Sequence, residues 1–319
     1  MKRSALALAV LSLSLLAAAG AARADESIRV GKAIQNHFSF ALIEVGIANG
    51  VFKDAGLAVE SVAFTGAPKL QQALAANSID FGLSTGQDLG FIAKGSPAMT
   101  VAAVSNAPFD TMMVVGTLAP IHGIADLKGK HIAVSNLRGY PSWLIKELAK
   151  HEGWPPDAIN LVETGSQTAS IAQLKINQVD GWGGDVGTAF QMEAAHEARA
   201  LLNFGDYVPP FMNIALYATD TMTRNHPDTV RRFVKAWFDN VAWARSHRAE
   251  TVAIVQPVLN LSPAILERVY DTLMPTETRD GKFDPKAMAT MRRAVVELGI
   301  LDAEPDIAKL YTEAFLPKN

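Results

Sequence analysis

Three clusters of polar and small residues stand at the ends of short apolar runs: Gln35-Asn36-His37-Phe38, Thr65-Gly66 and Ser84-Thr85-Gly86-Gln87. Such side chains hydrogen-bond small polar ligands, and glycine lets the backbone itself come close to one. A helix opening at each cluster would aim unpaired backbone N–H groups at a common place, which favours an anion. Similar clusters return later as Ser135-Asn136, Arg138-Gly139-Tyr140, Thr164-Gly165-Ser166 and Trp182-Gly183-Gly184-Asp185. Asn106 and Asp110 occupy comparable positions between the two groups.

Several of these residues have both a binding use and a structural one. Arg138 could grip a carboxylate or sulfonate in two-pronged fashion, or be a solvated surface cation. His37 could donate to an anion or lie idle in a loop. Trp182 could wall in a ligand or belong to the core. Asp185 could receive a ligand amine or cap a helix starting near Thr188. Thr85 with Asp88 has the spacing of a capping box, and Pro68 suits a first helical turn after Thr65-Gly66.

Catalytic patterns are missing. There is no Gly-x-Ser-x-Gly and no phosphate-cradling Walker loop. The histidines at 37, 122, 131, 151, 196, 226 and 247 do not have metal-ligand spacing. The chain has no cysteine, which excludes disulfides, thiolate zinc sites and cysteine nucleophiles. No metal and no cofactor is expected.

The opening residues read as an export signal: Lys2-Arg3, an apolar run from Ala5 to Ala22, then Ala22-Arg23-Ala24. Cleavage is expected after Ala24, which sends a soluble product to a bacterial periplasm. Without a cysteine at that point, no lipid anchor is expected. The formal charge of −3 becomes −6 once Lys2, Arg3 and Arg23 are gone. That balance argues against nucleic acid or an anionic membrane surface as partner.

These clusters need elements to hold them. Apolar strands alternate with helices from Ile28 to about Val115, and again from His131 onward. The second half includes helices expected over 169–175 and 189–200. From Pro227 the pattern turns helical, with Val230, Phe233, Val234, Trp237, Phe238, Val241 and Ala244 on one face. Further helices are expected near 249–259, 263–273, 285–298 and 305–316. Alternation of this kind implies an α/β fold of two mostly parallel, doubly wound sheets. Met112–Gly116 and Asn213–Ala218 read as strands crossing between two lobes. The expected division is residues 25–115 with 217–319 in lobe I, and 116–216 in lobe II. In open α/β sheets ligands lie beyond the carboxyl ends of the strands, which selects the clusters above.

Four segments carry a family resemblance: Asn49–Leu57 (NGVFKDAGL), Ala73–Gly82 (ALAANSIDFG), Ile124–Val134 (IADLKGKHIAV) and Gln178–Trp182 (QVDGW). With them the chain resembles the periplasmic substrate-binding proteins of nitrate, sulfonate, taurine and bicarbonate ABC transporters, a family that includes thiamine-pyrimidine binders. The resemblance covers nearly all of the chain after the signal. It implies a two-lobed periplasmic binding protein fold, type II-like, that closes on a small-molecule solute by hinge motion. It also implies delivery to an inner-membrane ABC permease with its ATPase, by a monomer. Carried over by position, Thr65-Gly66, Ser84-Thr85-Gly86, the Asn136–Tyr140 loop, Trp182 and Asp185 match the ligand-facing tips. Members often show Trp-Asp-Pro at the last of these. Here the stretch is Gly184-Asp185-Val186, a departure that weighs against a taurine-like amine pocket. The expected solute is a small organic anion, sulfonate- or carboxylate-like. A neutral heterocycle such as a pyrimidine, a periplasmic sensor, and an enzyme on the same fold are the alternatives.

Overall fold

The computed structural model describes residues 25–318, so the expected signal segment 1–24 lies outside the described residues. The first run is β1 (Glu26–Lys32), α1 (Phe38–Ala48), α2 (Val51–Asp54), β2 (Leu57–Ala63), α3 (Ala67–Ala75), β3 (Phe81–Thr85), α4 (Leu89–Ala93) and β4 (Ala98–Ser105). The second is β5 (Thr111–Gly116), β6 (His131–Val134), α5 (Tyr140–His151), β7 (Asn160–Glu163), α6 (Gln167–Lys175), β8 (Gly181–Asp185), α7 (Val186–Ala194) and β9 (Ala198–Asn203). The chain returns through β10 (Ile214–Thr219) to α8 (Asp220–Asn225), α9 (Pro227–Ser246), α10 (Arg248–Leu259), α11 (Pro263–Leu273) and α12 (Pro285–Glu297).

The strands form two five-stranded sheets, ordered β2-β1-β3-β10-β4 and β7-β6-β8-β5-β9. β1 runs parallel to β2 and β3, as β6 does to β7 and β8. β10 and β5 run antiparallel to both of their neighbours. The path of the chain explains this. Each of the two arrives from the other sheet, so it enters at the edge where the parallel strands finish. Their first residues, Thr111 and Ile214, therefore lie beside the strand tips. Ladder pairing commits β5 wholly to the second sheet and β10 wholly to the first. The expected lobe boundaries at 115/116 and 216/217 thus fall inside strands, and the links between sheets are 106–110 and 204–213.

The helical stripe of α9 is buried at all seven expected positions. Phe233 from that stripe stacks on Phe52 and Phe81, at ring-centroid distances of 5.4 and 4.1 Å, and so seals the helix onto the first sheet. Starts are set locally: Ser262 Oγ accepts from Ile265 N before Pro263, and Asp284 accepts from Lys286 N and Ala287 N before Pro285.

Two helix expectations are corrected. The helix expected over 189–200 stops at Ala194, because His196 takes a left-handed φ of 57° and Ala198–Asn203 pairs with β5 as an edge strand. The helix expected over 305–316 is only a 3-10 turn at Ile307–Lys309. There the backbone serves the first sheet instead: Thr100 N donates to Leu310 O, and Thr312 N to Thr100 O.

Candidate functional site

The two sets of strand tips meet around a cavity of about 450 Å³. Gln35, Asn36, His37 and Phe38 line it from the β1–α1 junction, and Asp110 from the first link between sheets. Asp185, Val186, Gly187, Thr188 and Gln191 line it from β8 and α7. The turn Val258–Leu261 and residues Val269 and Leu273 close it with apolar surface. Asn260 makes that turn possible through a left-handed φ of 52°. The charged lining side chains are Asp110, Asp185 and, when protonated, His37; neither Lys nor Arg lines the cavity.

His37 is the start of α1 and its Nε2 lies 3.1 Å from Asp110 Oδ2. The Phe40 ring packs on the imidazole at 4.5 Å. The first bond inside α1 is Ala41 N to His37 O, and His37 makes no side-chain cap. The opening N–H groups of α1 therefore stay free of intrahelical partners.

Near His37 and Asp110 the packed interior carries further buried polar atoms. His37 Nδ1, Asn106 Oδ1, Tyr140 Oη, Asn213 Oδ1 and Glu277 Oε2 find no hydrogen-bond partner within the protein. Their carriers form a ring of neighbours. Ser39 Oγ donates to Glu277 Oε1 at 2.5 Å. Glu277 bridges to Ser105 through the backbone, and Asn213 N donates to Ser105 O at 2.8 Å. Phe211 N donates to Asn106 O, and Tyr140 stacks on Phe211 with centroids 5.6 Å apart. The Tyr140 hydroxyl is pushed well above its ordinary pKa by burial, and further by the Asp110 charge. Buried polar atoms are nearly always paired; of these five carriers only His37 lines the cavity, and the others are enclosed in the packed interior.

The structure brings Gln35, Asn36, His37, Phe38 and Asp185 together at the cavity. Asp185 also caps α7, its Oδ1 accepting from Thr188 N at 2.8 Å, so both expected uses coexist. Tyr140 does not line the cavity; it is packed inside against Phe211. The other expected residues go elsewhere. Trp182 is 1% exposed and belongs to the core, its indole lying where a Gly184 side chain would stand. Arg138 and Gly139 line a separate groove with Trp143, Lys146 and Glu297. Asn136 holds that loop by accepting from Arg138 N. Thr164 bonds Val134 O and Ser170 Oγ, closing its own turn. Thr65 is exposed and Gly66 opens α3 with a φ of 122°, neither lining the cavity.

The Ser84–Gln87 tip is sealed rather than open. Ser84 is fully buried, Tyr217 Oη donates to Thr85 O, and Gly86 N donates to Asn213 O. Gln87 is half-buried away from the cavity. The expected capping box does not form, since Asp88 turns inward to accept from Ser84, Gln71 and Thr85. Burial raises the Asp88 carboxyl to about 6, outweighing the hydrogen bonds that lower it. An acid raised in the fold stays protonated there while the unfolded chain ionises. Stability is then full below about pH 4 and falls as pH climbs to about 6. Asp88→Asn is expected to remove that fall, worth up to about 3 kcal/mol. Urea midpoints measured across this window check it, and an unchanged slope would show Asp88 ionised in the fold.

Sequence reading missed Thr188, Gln191 and Asn260. Thr188 and Gln191 follow Asp185 by one helical turn or two and were legible as one helix face. Nothing in the sequence around Asn260 distinguishes it from an ordinary turn residue.

The NMT1/THI5-like family model matches residues 37–251. A Bacillus subtilis protein named for binding aliphatic sulfonates is 24% identical over 301 residues, spanning 88% of this chain and 89% of its own length. The periplasmic aliphatic sulphonate-binding protein SsuA of Escherichia coli has a similar structure, with a TM-score of 0.77 at 17% identity, covering 90% of this chain and 92% of that one. The desulfurization enzyme DSZB shares the fold at a TM-score of 0.65 and 15% identity, covering 91% and 97%. The fold is thus the two-lobed one of periplasmic binding proteins, and an enzyme also uses it.

Proposed function

This chain belongs to the NMT1/THI5-like family, and from that premise we propose that it captures a small organic anion between its two sheets for an ABC-type importer. The observation that carries the reading is the polar lining of the cavity, where Gln35, Asn36, His37, Asp110, Asp185, Thr188, Gln191 and Asn260 gather beside the open start of α1. His37 Nδ1 lacks a partner in the protein there. Such an atom costs about 1–3 kcal/mol when it is left unpaired. A solute that supplies the partners recovers this cost only when both lobes surround it, so its binding energy favours the closed arrangement.

The names of the Bacillus and Escherichia proteins support a sulfonate- or carboxylate-like solute. The head group would be held by neutral donors and helix N–H groups, since neither Lys nor Arg lines the cavity. The two sheets with their helices, residues 25–105 with 214–318 and 111–203, act as the moving lobes, with the flex in the links 106–110 and 204–213. The product works in the periplasm as a monomer after cleavage behind Ala24. Its partners are an inner-membrane permease and its ATPase, and it acts as a binder without a cofactor. Among the described residues no single helix is long and apolar enough to cross a membrane.

Thermal-shift screening of refolded, ligand-stripped protein tests the reading. The panel holds alkyl and aryl sulfonates, taurine, nitrate, bicarbonate, aromatic carboxylates and pyrimidines. A true ligand at about 100 times its Kd is expected to add about 2.7 kcal/mol and raise the Tm visibly. Shifts from pyrimidines alone would replace the anion. The likeness to a desulfurization enzyme favours one second reading, removal of sulfur from a sulfur-bearing solute. The absence of cysteine denies it a thiol nucleophile, and inorganic sulfite or sulfate appearing in the screening mixtures would restore it.

A further inference from the structure

We infer that the groove at the start of α5 is a second binding site, for a small organic anion with an apolar body. The groove shares no lining residue with the cavity, and the inference does not depend on what the cavity binds. It encloses about 240 Å³ and is where the structure carries Arg138. Arg138, Lys146 and Lys150 line it with Trp143, and Glu297 and Leu298 close it from the end of α12.

The local sequence puts the cations there. Asn136 Oδ1 accepts from Arg138 N at 2.8 Å and Asn136 O from Gly139 N at 3.0 Å, so a tight turn delivers Arg138 to the start of α5. Trp143, Lys146 and Lys150 follow at spacings of three and four, which places them on one face of α5. Lys150 donates to Glu147 at 2.6 Å and to Glu297 at 3.1 Å. Arg138 and Lys146 are exposed, and neither forms an ion pair among the described residues.

Charge and lining agree on the ligand. Arg138, Lys146, Lys150 and Arg293 stand against two acids, Glu147 and Glu297, so positive charge is in excess. Glu297 is already engaged by Trp143 Nε1, Lys150 and Arg293. The cavity is the reverse, with Asp110 and Asp185 and neither Lys nor Arg. Gly139 lines the groove and opens α5 without a side-chain cap, so the first N–H groups of that 12-residue helix add positive potential. Arg138 can take a sulfonate or carboxylate with two prongs, and Lys146 can add a third bond. For the apolar body, Leu137 lines the groove yet is 41% exposed, beside Trp143, Pro156 and Leu298. An exposed leucine gains burial energy only when something apolar covers it.

Benzenesulfonate is the probe, titrated into ligand-stripped protein beginning at Asp25. The readout is the Trp143 indole N–H in proton–nitrogen correlation spectra, identified by its loss in Trp143→Phe. In wild type that signal is expected to move and to saturate. Arg138→Ala/Lys146→Ala changes two surface residues. It is expected to keep the circular dichroism of wild type and to weaken the response about tenfold or more. Methyl phenyl sulfone, a neutral analogue of the probe, is expected to leave the signal in place. The indole N–H also belongs to the contact with Glu297, so lobe closure around a solute in the cavity would move it too. The double variant separates the two sources, because it keeps the cavity and removes the cations of the groove. An undiminished response there assigns the movement to the cavity and overturns the inference. An equal response to the neutral sulfone would mark an apolar crevice only and also overturns it, as does a signal unmoved by about 10 mM benzenesulfonate.

Discussion

Gly86→Ala is expected to cost this protein about 3 kcal/mol or more and to abolish solute capture. A Cβ built at Gly86 would stand 1.9 Å from the carbonyl oxygen of Met212 and 2.8 Å from the end of Met291. The methionine side chain can swing aside, but the Met212 carbonyl is backbone. Its neighbour Asn213 is pinned on both sides, with its N–H donating to Ser105 O and its carbonyl accepting from Gly86 N. Relief therefore has to come from moving the link 204–213, which joins the two sheets on either side of the cavity. Urea unfolding gives the stability change, and calorimetry with the best ligand of the screen gives the affinity change. A variant of wild-type stability would show that the tip and the link shift freely past each other.

Arg293→Ala has the second largest expected effect, because Arg293 joins the two halves of the molecule. It sits on α12, whose Met291 reaches the Gly86 tip of the first sheet. Its guanidinium donates to both oxygens of Glu147 on α5, which flanks the second sheet, at 3.0 Å each. Glu297 adds to the clasp by accepting from Trp143 Nε1 at 2.7 Å and Lys150 Nζ at 3.1 Å. The hydrogen bonds Arg293 donates to Glu147 hold its pKa above the ordinary value; burial pushes Glu297 up, but the bonds it accepts from Trp143 and Lys150 outweigh this and leave it below its own. Glu147 is 4% exposed, so losing its bidentate partner leaves a buried carboxylate with only Lys150 Nζ, at 2.6 Å, to balance it.

Breaking such a pair costs about 3–5 kcal/mol in the interior. Arg293 itself is 37% exposed, so solvent screening lowers the expectation to about 2 kcal/mol. Because the clasp spans both halves, much of that loss should fall on the closed arrangement. A shift of about 1.4 kcal/mol between open and closed weakens apparent affinity about tenfold. Calorimetry should show that weakening in Arg293→Ala, with partial recovery in Arg293→Ala/Glu147→Gln, where the stranded charge is gone. Unchanged affinity with lowered stability would confine the clasp to folding.

The sequence alone determined the fold class and the edge at which the site had to lie. The alternation of apolar runs with helical stripes is a local property, and so is the placing of polar clusters at strand ends. The stripe of α9 and the caps at Ser262 and Asp284 follow from residues within one or two turns of each other. Gln35–Phe38 and Asp185 were legible for the same reason: they end β1 and β8, and ligands in such folds lie beyond strand ends. Local pattern also misled. The helix expected through Ala200 was overruled by ladder pairing with β5, and the one near the C-terminus by pairing with Thr100.

Only the tertiary structure decided which tips face the cavity and which are sealed. Ser84 and Trp182 have the composition of ligand contacts, yet Asp88 and the core claim them. Arg138 points to its own groove because the Asn136 turn carries it away from Asp110. Glu277 lies 238 residues from Ser39 and Asp110 lies 73 from His37, so no window along the chain couples them. Burial of a carboxyl beside the start of α1 is a property of packed sheets and helices, because desolvation depends on every neighbour in space and not on neighbours in sequence.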